Sequence, residues 1–389
     1  MVIRLKKNKE KALLNFHPWI FSGAIASGEK NIKPGGIVRV ESDSGSFLAW
    51  GFYDPKSQIR IRLFSFLSSD DGDSVLFWNQ KWEYLWASKT KLLPKQTTGF
   101  RFLHSEGDGV PGIIVDIYDK AAVLQIRTPG AKTLTAWLVS FLITKGMETI
   151  VERVEPSDGE TKANSNIWHL GSSAEIPFLE NGIRFLSDIA TGQKTGFFLD
   201  QRENRNLLKR YSENRIVLNC FAYSGGFSLY ALLGGAKLVH SLDISKEAIQ
   251  LCEKTVEINT IPDVKTRHRG IVENSFSYLK DMETNFYDMI VLDPPAFTKS
   301  ITTVNQASKG YKEINLKAIQ KICSGGLIFT FSCSQHISMD LFKKIVFGAA
   351  KDTKRNVRVL HQMTQSPDHG HSIYHPEGEY LKGLVIQVD

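Results

Sequence analysis

The chain has 389 residues, more than a single domain usually holds, so two or three domains are expected. Its 42% hydrophobic and 23% charged residues are those of a soluble globular protein, and the lack of any run of about 20 apolar residues argues against a membrane span. A formal net charge of +7 suits a polyanion such as nucleic acid without requiring one, while four scattered cysteines, with no CxxC pair, no histidines at zinc spacing and no signal peptide, point to no metal and to a reducing cytoplasm.

In chain order, residues 1–72 read as β-rich with one short helical segment. Gly35–Glu41 alternates as a strand, Ser42–Gly45 turns, Phe47–Tyr53 returns, and Ile59–Phe64 follows with Arg60 and Arg62 on one face. Ser68–Asp73 is a polar break. A second unit, 73–187, opens on an aromatic helix, Val75–Lys91. Its Trp78, Trp82 and Trp86 recur every four residues and read as core rather than as a base-stacking platform. Phe100–His104, Gly112–Tyr118, Ala121–Arg127 and Thr149–Arg153 read as strands and Leu134–Lys145 as a helix; Ser157–Asn166 is polar and reads as a mobile loop.

From residue 188 onward strands alternate with helices. The strands are Ile216–Asn219, Leu238–Asp243, Tyr287–Asp293, Leu327–Phe331, Val357–His361 and Leu381–Val388. The helices start at Phe227 and span Lys246–Asn259 (capped by Ser245), Asn305–Ile322 and Leu341–Ala350. The expected fold class is therefore α/β, with a β-rich front, a small α+β middle domain, and a Rossmann-like doubly wound domain over 188–389. Ligands in such sheets sit at the carboxyl ends of the strands.

The loop Phe221–Phe227 ends in two glycines, which let backbone approach a ligand closely, and Asp243 ends the next strand, where its carboxylate can accept two ribose hydroxyls. A tight turn with a capping Asp reads equally well from these residues alone. No GxGxxG is present, which opposes a nicotinamide dehydrogenase.

Six segments make the pattern specific: His17–Phe21, Thr191–Asn204, Asn219–Phe227, Asp293-Pro-Pro-Ala-Phe297, Ser332-Cys-Ser334, and His375–Lys382. Together they resemble the bacterial and archaeal family of class I S-adenosylmethionine-dependent methyltransferases that act on C5 of cytosine in large-subunit ribosomal RNA and carry a PUA domain first. The resemblance covers essentially the whole chain. It implies three parts (PUA, small α/β, methyltransferase), ribosomal RNA as partner, and a homodimer. It also implies that Lys194, Phe197, Asp200 and Arg202 lie along the methionine and sulfonium side of the cofactor, with Phe197 and Phe198 alternatively core. Asn219, Ala222 and Gly225 would line the methionine, and Asp243 would take the ribose. In the segment Asn274–Leu279 the family's adenine-binding Asp is replaced by Asn274, whose carbonyl can still accept that hydrogen bond, with Glu273 a weaker substitute.

Cytosine C5 becomes nucleophilic only after something adds to C6, and a thiolate is the usual adding group. The resemblance assigns that role to Cys333; Cys220, Cys252 and Cys323 read as packing residues. Asp293 would share a proton with N3 while also touching the cofactor, Pro294 and Pro295 would stiffen its loop, and Phe297 would wall the base. The base that removes the C5 proton stays open among Lys299, His336 and solvent. Arg60, Arg62 and the N-terminal lysines are the expected phosphate ligands, with a solvated basic surface as the alternative. Two rival readings remain: methylation of a guanine nitrogen, which needs no cysteine, and a non-catalytic RNA-binding assembly factor.

Overall fold

The computed structural model describes residues 1–154, 165–298 and 300–389, which fall into two compact units. The first comprises 1–182, 187–197 and 367–378, and the second 183–186, 198–366 and 379–389. Of the polar stretch 157–166, residues 157–164 lie outside the described residues; Asn166 belongs to a strand.

The first unit begins with strands β1 (Val2–Leu5), β2 (Trp19–Phe21), β3 (Ile25–Ser27), β4 (Ile37–Glu41), β5 (Phe47–Tyr53) and β6 (Ile59–Ser65), plus a one-turn helix α1 (Lys11–Leu14). Among the described residues they form one six-stranded sheet, ordered β2-β6-β5-β4-β1-β3. Alternation decides which side is buried: in β4, Val38 and Val40 are fully buried, and in β6, Ile61 and Leu63 join them around Ile3, Leu5 and Ile20. The expected β-rich front with one short helical segment is present.

Helix α2 (Val75–Leu92) follows, capped by the Ser74 hydroxyl, which accepts from Phe77 N–H. Strands β7 (Gly99–His104), β8 (Ile113–Tyr118), β9 (Ala121–Ile126), β10 (Thr149–Val154) and β11 (Ser165–Leu170) form a second sheet, and helix α3 (Pro129–Thr144) starts on a Thr128 cap with Pro129 at its first position. Trp78 and Trp82 have no exposed surface, and Trp86 packs edge-on against Phe100 and Phe102, so the aromatic helix is core. Residues 367–378 return here: the Arg101 N–H donates to Asp368 Oδ2 at 2.8 Å, and Lys89 Nζ donates to the Asp368 carbonyl at 2.6 Å. Two further strands are β12 (Glu175–Glu180) and β13 (Ile183–Asp188).

The second unit runs through α4 (Arg202–Arg210), β14 (Ile216–Cys220), α5 (Gly226–Leu233), β15 (Leu238–Asp243), α6 (Lys246–Glu257), α7 (Val264–Arg267), β16 (His268–Val272), α8 (Ser275–Asp281), β17 (Met289–Leu292), α9 (Val304–Lys321), β18 (Gly326–Ser332), α10 (Met339–Thr353), β19 (Val357–Met363) and β20 (Lys382–Val388). Among the described residues the sheet has seven strands in the order β16-β15-β14-β17-β18-β20-β19, parallel except where β20 runs against both its neighbours. This is the doubly wound sheet expected. Four elements of this unit, α4, α7, β16 and α8, go beyond the sequence pattern. β16 reads poorly as a strand because Gly270 sits at its centre and its flanks are charged. The order reverses at β14, with β15 on one side and β17 on the other, so loops at their carboxyl ends open a crevice. No helix of the described residues is long and apolar enough to cross a membrane, and no group of three His, Cys, Asp or Glu among them could hold a metal ion.

Candidate active site

The loop between β14 and α5 is held in an unusual backbone state. Phe221 and Tyr223 have φ of 58° and 46°, and Gly225 has φ of 78°. A side chain on Gly225 would meet Cys252 Sγ at 2.2 Å, so glycine is required twice over, by backbone angle and by space. The loop is tied to the next strand: Ala222 N–H donates to the Leu242 carbonyl at 2.9 Å, and Tyr223 N–H donates to Asp243 Oδ2 at 2.9 Å. Asp243 Oδ1 accepts from Ser245 N–H at 3.0 Å, and its half-buried carboxylate keeps lone pairs for a diol. Below the loop, Asn219 is 1% exposed; its amide donates to the Ser228 hydroxyl, while its Oδ1 is buried without a hydrogen-bond partner among the described residues. A buried acceptor left unmet beside a glycine-bearing loop and a strand-end carboxylate fits the polar methionine end and the ribose of S-adenosylmethionine.

Asn274 caps α8: its Oδ1 accepts from Phe276 N–H at 2.9 Å and Ser277 N–H at 3.3 Å. The carbonyl expected to meet the adenine amino group therefore already serves the cap, and the exposed amide nitrogen is the freer end of this side chain.

The other cofactor residues divide between the units. Lys194 (exposed, φ of 51°) and Phe197 belong to the first. Phe197 is 2% exposed, stands edge-on to Phe178 at 5.1 Å, and its N–H donates to the Tyr118 hydroxyl, which is the core environment of the alternative reading. Asp200 and Arg202, in the second unit, are 2% and 0% exposed. Asp200 Oδ2 accepts from the Tyr380 hydroxyl at 2.7 Å, and Arg202 Nε meets Glu203 Oε1 at 3.1 Å.

Asp293 and Cys333 follow directly from two neighbouring parallel strands, β17 and β18, whose last paired residues are Leu292 and Thr330. Both are half-buried, and Cys333 Sγ lies 3.9 Å from the Pro294 carbonyl oxygen. Pro294 is buried and Pro295 exposed; Phe297 packs 4.5 Å from Tyr311 and 5.9 Å from Phe276, flanking a cleft with Thr303 and Gly310. The remaining cysteines are poor nucleophiles: burial pushes the thiols of Cys220 and Cys252 up, the latter to about 12, and burial beside Asp288 raises that of Cys323. His336 is exposed, and Lys299 lies outside the described residues.

One residue of the tail that sequence reasoning left without a role stands at this edge. Lys382, 2% exposed, donates from Nζ to the carbonyl of Ser334 at 2.7 Å and to that of Tyr380 at 2.6 Å. The signal was a lone charge opening the mostly apolar strand Lys382–Val388. Arg60 and Arg62, in the first unit, are both half-buried and face acids: Arg60 Nε lies 3.2 Å from Glu29, and Arg62 lies 3.6 Å from Glu106 and 4.0 Å from Asp54. Lys6, Lys7, Lys9 and Lys11 are exposed.

Comparison with known proteins agrees with this anatomy. A family model described as a PUA-like domain matches residues 3–66, and one described as an S-adenosylmethionine-dependent methyltransferase matches residues 161–369. The chain is 37% identical to the ribosomal RNA large subunit methyltransferase I of Alteromonas mediterranea and 38% identical to that of Escherichia coli strain K12, in each case over 99% of this chain and 98% of the relative. Among solved structures, a chain described as a SAM-dependent methyltransferase from Streptococcus mutans matches with a TM-score of 0.83 over 100% of both chains, at 22% identity, a likeness of fold. With the glycine loop, the strand-end acids and both family models in one chain, the protein belongs to the S-adenosylmethionine-dependent methyltransferase family that carries an N-terminal PUA-like domain and includes the ribosomal RNA large subunit methyltransferase I proteins.

Proposed function

We propose that the chain methylates C5 of a cytosine in large-subunit ribosomal RNA, with Cys333 as nucleophile and Asp293 as its acid partner. The observation that carries this reading is the juxtaposition of Asp293 and Cys333 at the carboxyl ends of adjacent strands, in the same sheet as the glycine loop after β14. The names of the full-length relatives support ribosomal RNA as the substrate.

S-adenosylmethionine held by the Asn219, Gly225 and Asp243 set supplies an electrophilic methyl group. The Cys333 sulfur forms a bond to C6, and the displaced C5–C6 pair makes C5 nucleophilic toward that methyl. Asp293 delivers a proton toward N3 as the ring takes up charge, a general-acid role worth about 10²–10⁴ in rate. Once C5 has taken the methyl group, with its bond to the donor sulfur broken and S-adenosylhomocysteine left behind, loss of the C5 proton, return of the N3 proton to Asp293 and breakage of the S–C6 bond restore the ring and the thiolate. A cytosine stacked in a helix cannot be reached this way, so the target must be unpaired or extruded.

The test is incubation with labelled S-adenosylmethionine and deproteinised or subunit-bound ribosomal RNA, followed by nucleoside mass spectrometry. We expect 5-methylcytosine from the wild type and none from Cys333→Ala. A methylguanosine product, or full activity in the variant, would overturn the cytosine reading.

A further inference from the structure

Lys382 opens β20 directly opposite Ser332 on β18, so its side chain emerges beside the Ser332-Cys-Ser334 turn. It is almost completely buried, and both hydrogen bonds it makes go to neutral carbonyls, those of Ser334 and Tyr380. Among the described residues it forms no ion pair with a carboxylate. An ammonium buried on carbonyls alone is costly to keep, and proteins retain such a group where an anion is available to it. Two of its three N–H donors are engaged, which leaves one for that anion. Burial draws the Lys382 pKa down to about 8, while the charges of Cys333 and, after it, Glu379 pull it back up. The other groups at this edge are Tyr311, whose hydroxyl meets Ser334 Oγ at 2.9 Å, and Asp293 at the neighbouring strand end. Burial raises the Tyr311 pKa, so it stands there as a neutral phenol.

We propose that Lys382 is the buried ammonium that holds the Cys333 sulfur as a thiolate near neutral pH, acting as a positioning residue through the turn it grips. This role rests on Cys333 being the nucleophile of the proposed reaction. An ammonium next to a thiol favours its ionised form, and a carbonyl clamp on the following residue fixes where the sulfur points.

The experiment measures the alkylation rate of Cys333 by iodoacetamide against pH, read by peptide mass spectrometry on the full chain. Wild type, Lys382→Met and Lys382→Arg are compared, with Cys220 and Cys252 as buried controls. We expect a wild-type midpoint clearly below the ordinary thiol value of about 8.5. In Lys382→Met the midpoint rises by a unit or more, so that alkylation near neutral pH slows about tenfold. In Lys382→Arg the low midpoint is kept. An ordinary wild-type midpoint would overturn the proposal even if Lys382→Met failed to fold. So would an unchanged midpoint in a folded Lys382→Met, or a Lys382→Arg variant that lost methyl transfer with its alkylation profile intact, the mark of a lysine working as the base for the C5 proton. Failure of the parent reading looks different: Cys333→Ala would then retain methyl transfer whatever the alkylation profile shows.

Discussion

The Tyr380 hydroxyl donates to Asp200 Oδ2 at 2.7 Å, joining residues 180 positions apart inside the second unit. The same region carries Ser366, whose backbone N–H and hydroxyl both donate to the Asp200 carbonyl. Asp200 thereby anchors the tail that delivers Lys382 to the Ser-Cys-Ser turn. Tyr380→Phe removes one donor from a carboxylate only 2% exposed, and we expect a loss of about 1–3 kcal/mol in stability. Urea unfolding of the two proteins checks it. A shift in the Cys333 alkylation midpoint in the same variant would show that the anchor reaches the turn.

Gly225→Ala faces two obstacles: a backbone at φ of 78°, and Cys252 Sγ 2.2 Å from the new methyl group. Residues held in such conformations cost about 1–3 kcal/mol. From that range we expect roughly tenfold or greater weakening of S-adenosylhomocysteine binding by calorimetry. Adding Cys252→Ala should recover only part of it, because removing the sulfur leaves the backbone strain in place.

His268 predicts an acid-side instability. Its ring meets the Ser241 hydroxyl at 2.8 Å, and burial, helped by His240, lowers its pKa to about 4. An unfolded histidine takes its proton near 6.5, so between about pH 6.5 and 4 the unfolded chain binds more protons than the folded one. Stability contributed by the neutral ring is complete above that window and is lost as pH falls through it, at up to about 1.4 kcal/mol per pH unit. Burial lowers the pKa of His240 and of His375 as well, so they act in the same direction. Urea midpoints at several pH values should show a shallower slope in His268→Gln than in the wild type.

For RNA binding, the exposed Lys7 and Lys9 should matter more than Arg60 and Arg62, which already face Glu29, Asp54 and Glu106. We expect Lys7→Glu with Lys9→Glu to flatten the salt dependence of RNA affinity, by roughly 0.7–0.9 in logarithmic slope for each phosphate left unneutralised. Arg60→Ala with Arg62→Ala should change that slope little. A filter-binding series across salt concentrations distinguishes the two.

The parts of this molecule legible in the sequence are those set by periodicity and punctuation. Alternation in Ile59–Ser65 and the apolar runs of β14, β17 and β18 announce strands, and the cap at Ser245 announces α6. Asp293 and Cys333 are legible as strand-end residues, because position in a parallel sheet follows from strand order. What local pattern cannot carry is long-range pairing. That Lys382 lies across from Ser332, that Asp200 receives Tyr380, and that Asp368 is held by Arg101 and Lys89 are facts of topology. Asn274 likewise reads as a free acceptor until its place at the start of α8 commits its oxygen to the backbone.

The insertion of β20 between β18 and β19 has a consequence for the nascent chain. A polypeptide still lacking residues 382–388 has β18 as a bare edge and β19 with no partner strand. The same seven residues bring Lys382 opposite Ser332 and onto the carbonyl of Ser334. If Cys333 is the nucleophile proposed above, a chain interrupted short of that strand would lack the lysine that faces Ser332 and would carry Cys333 as an ordinary thiol rather than as a reactive one.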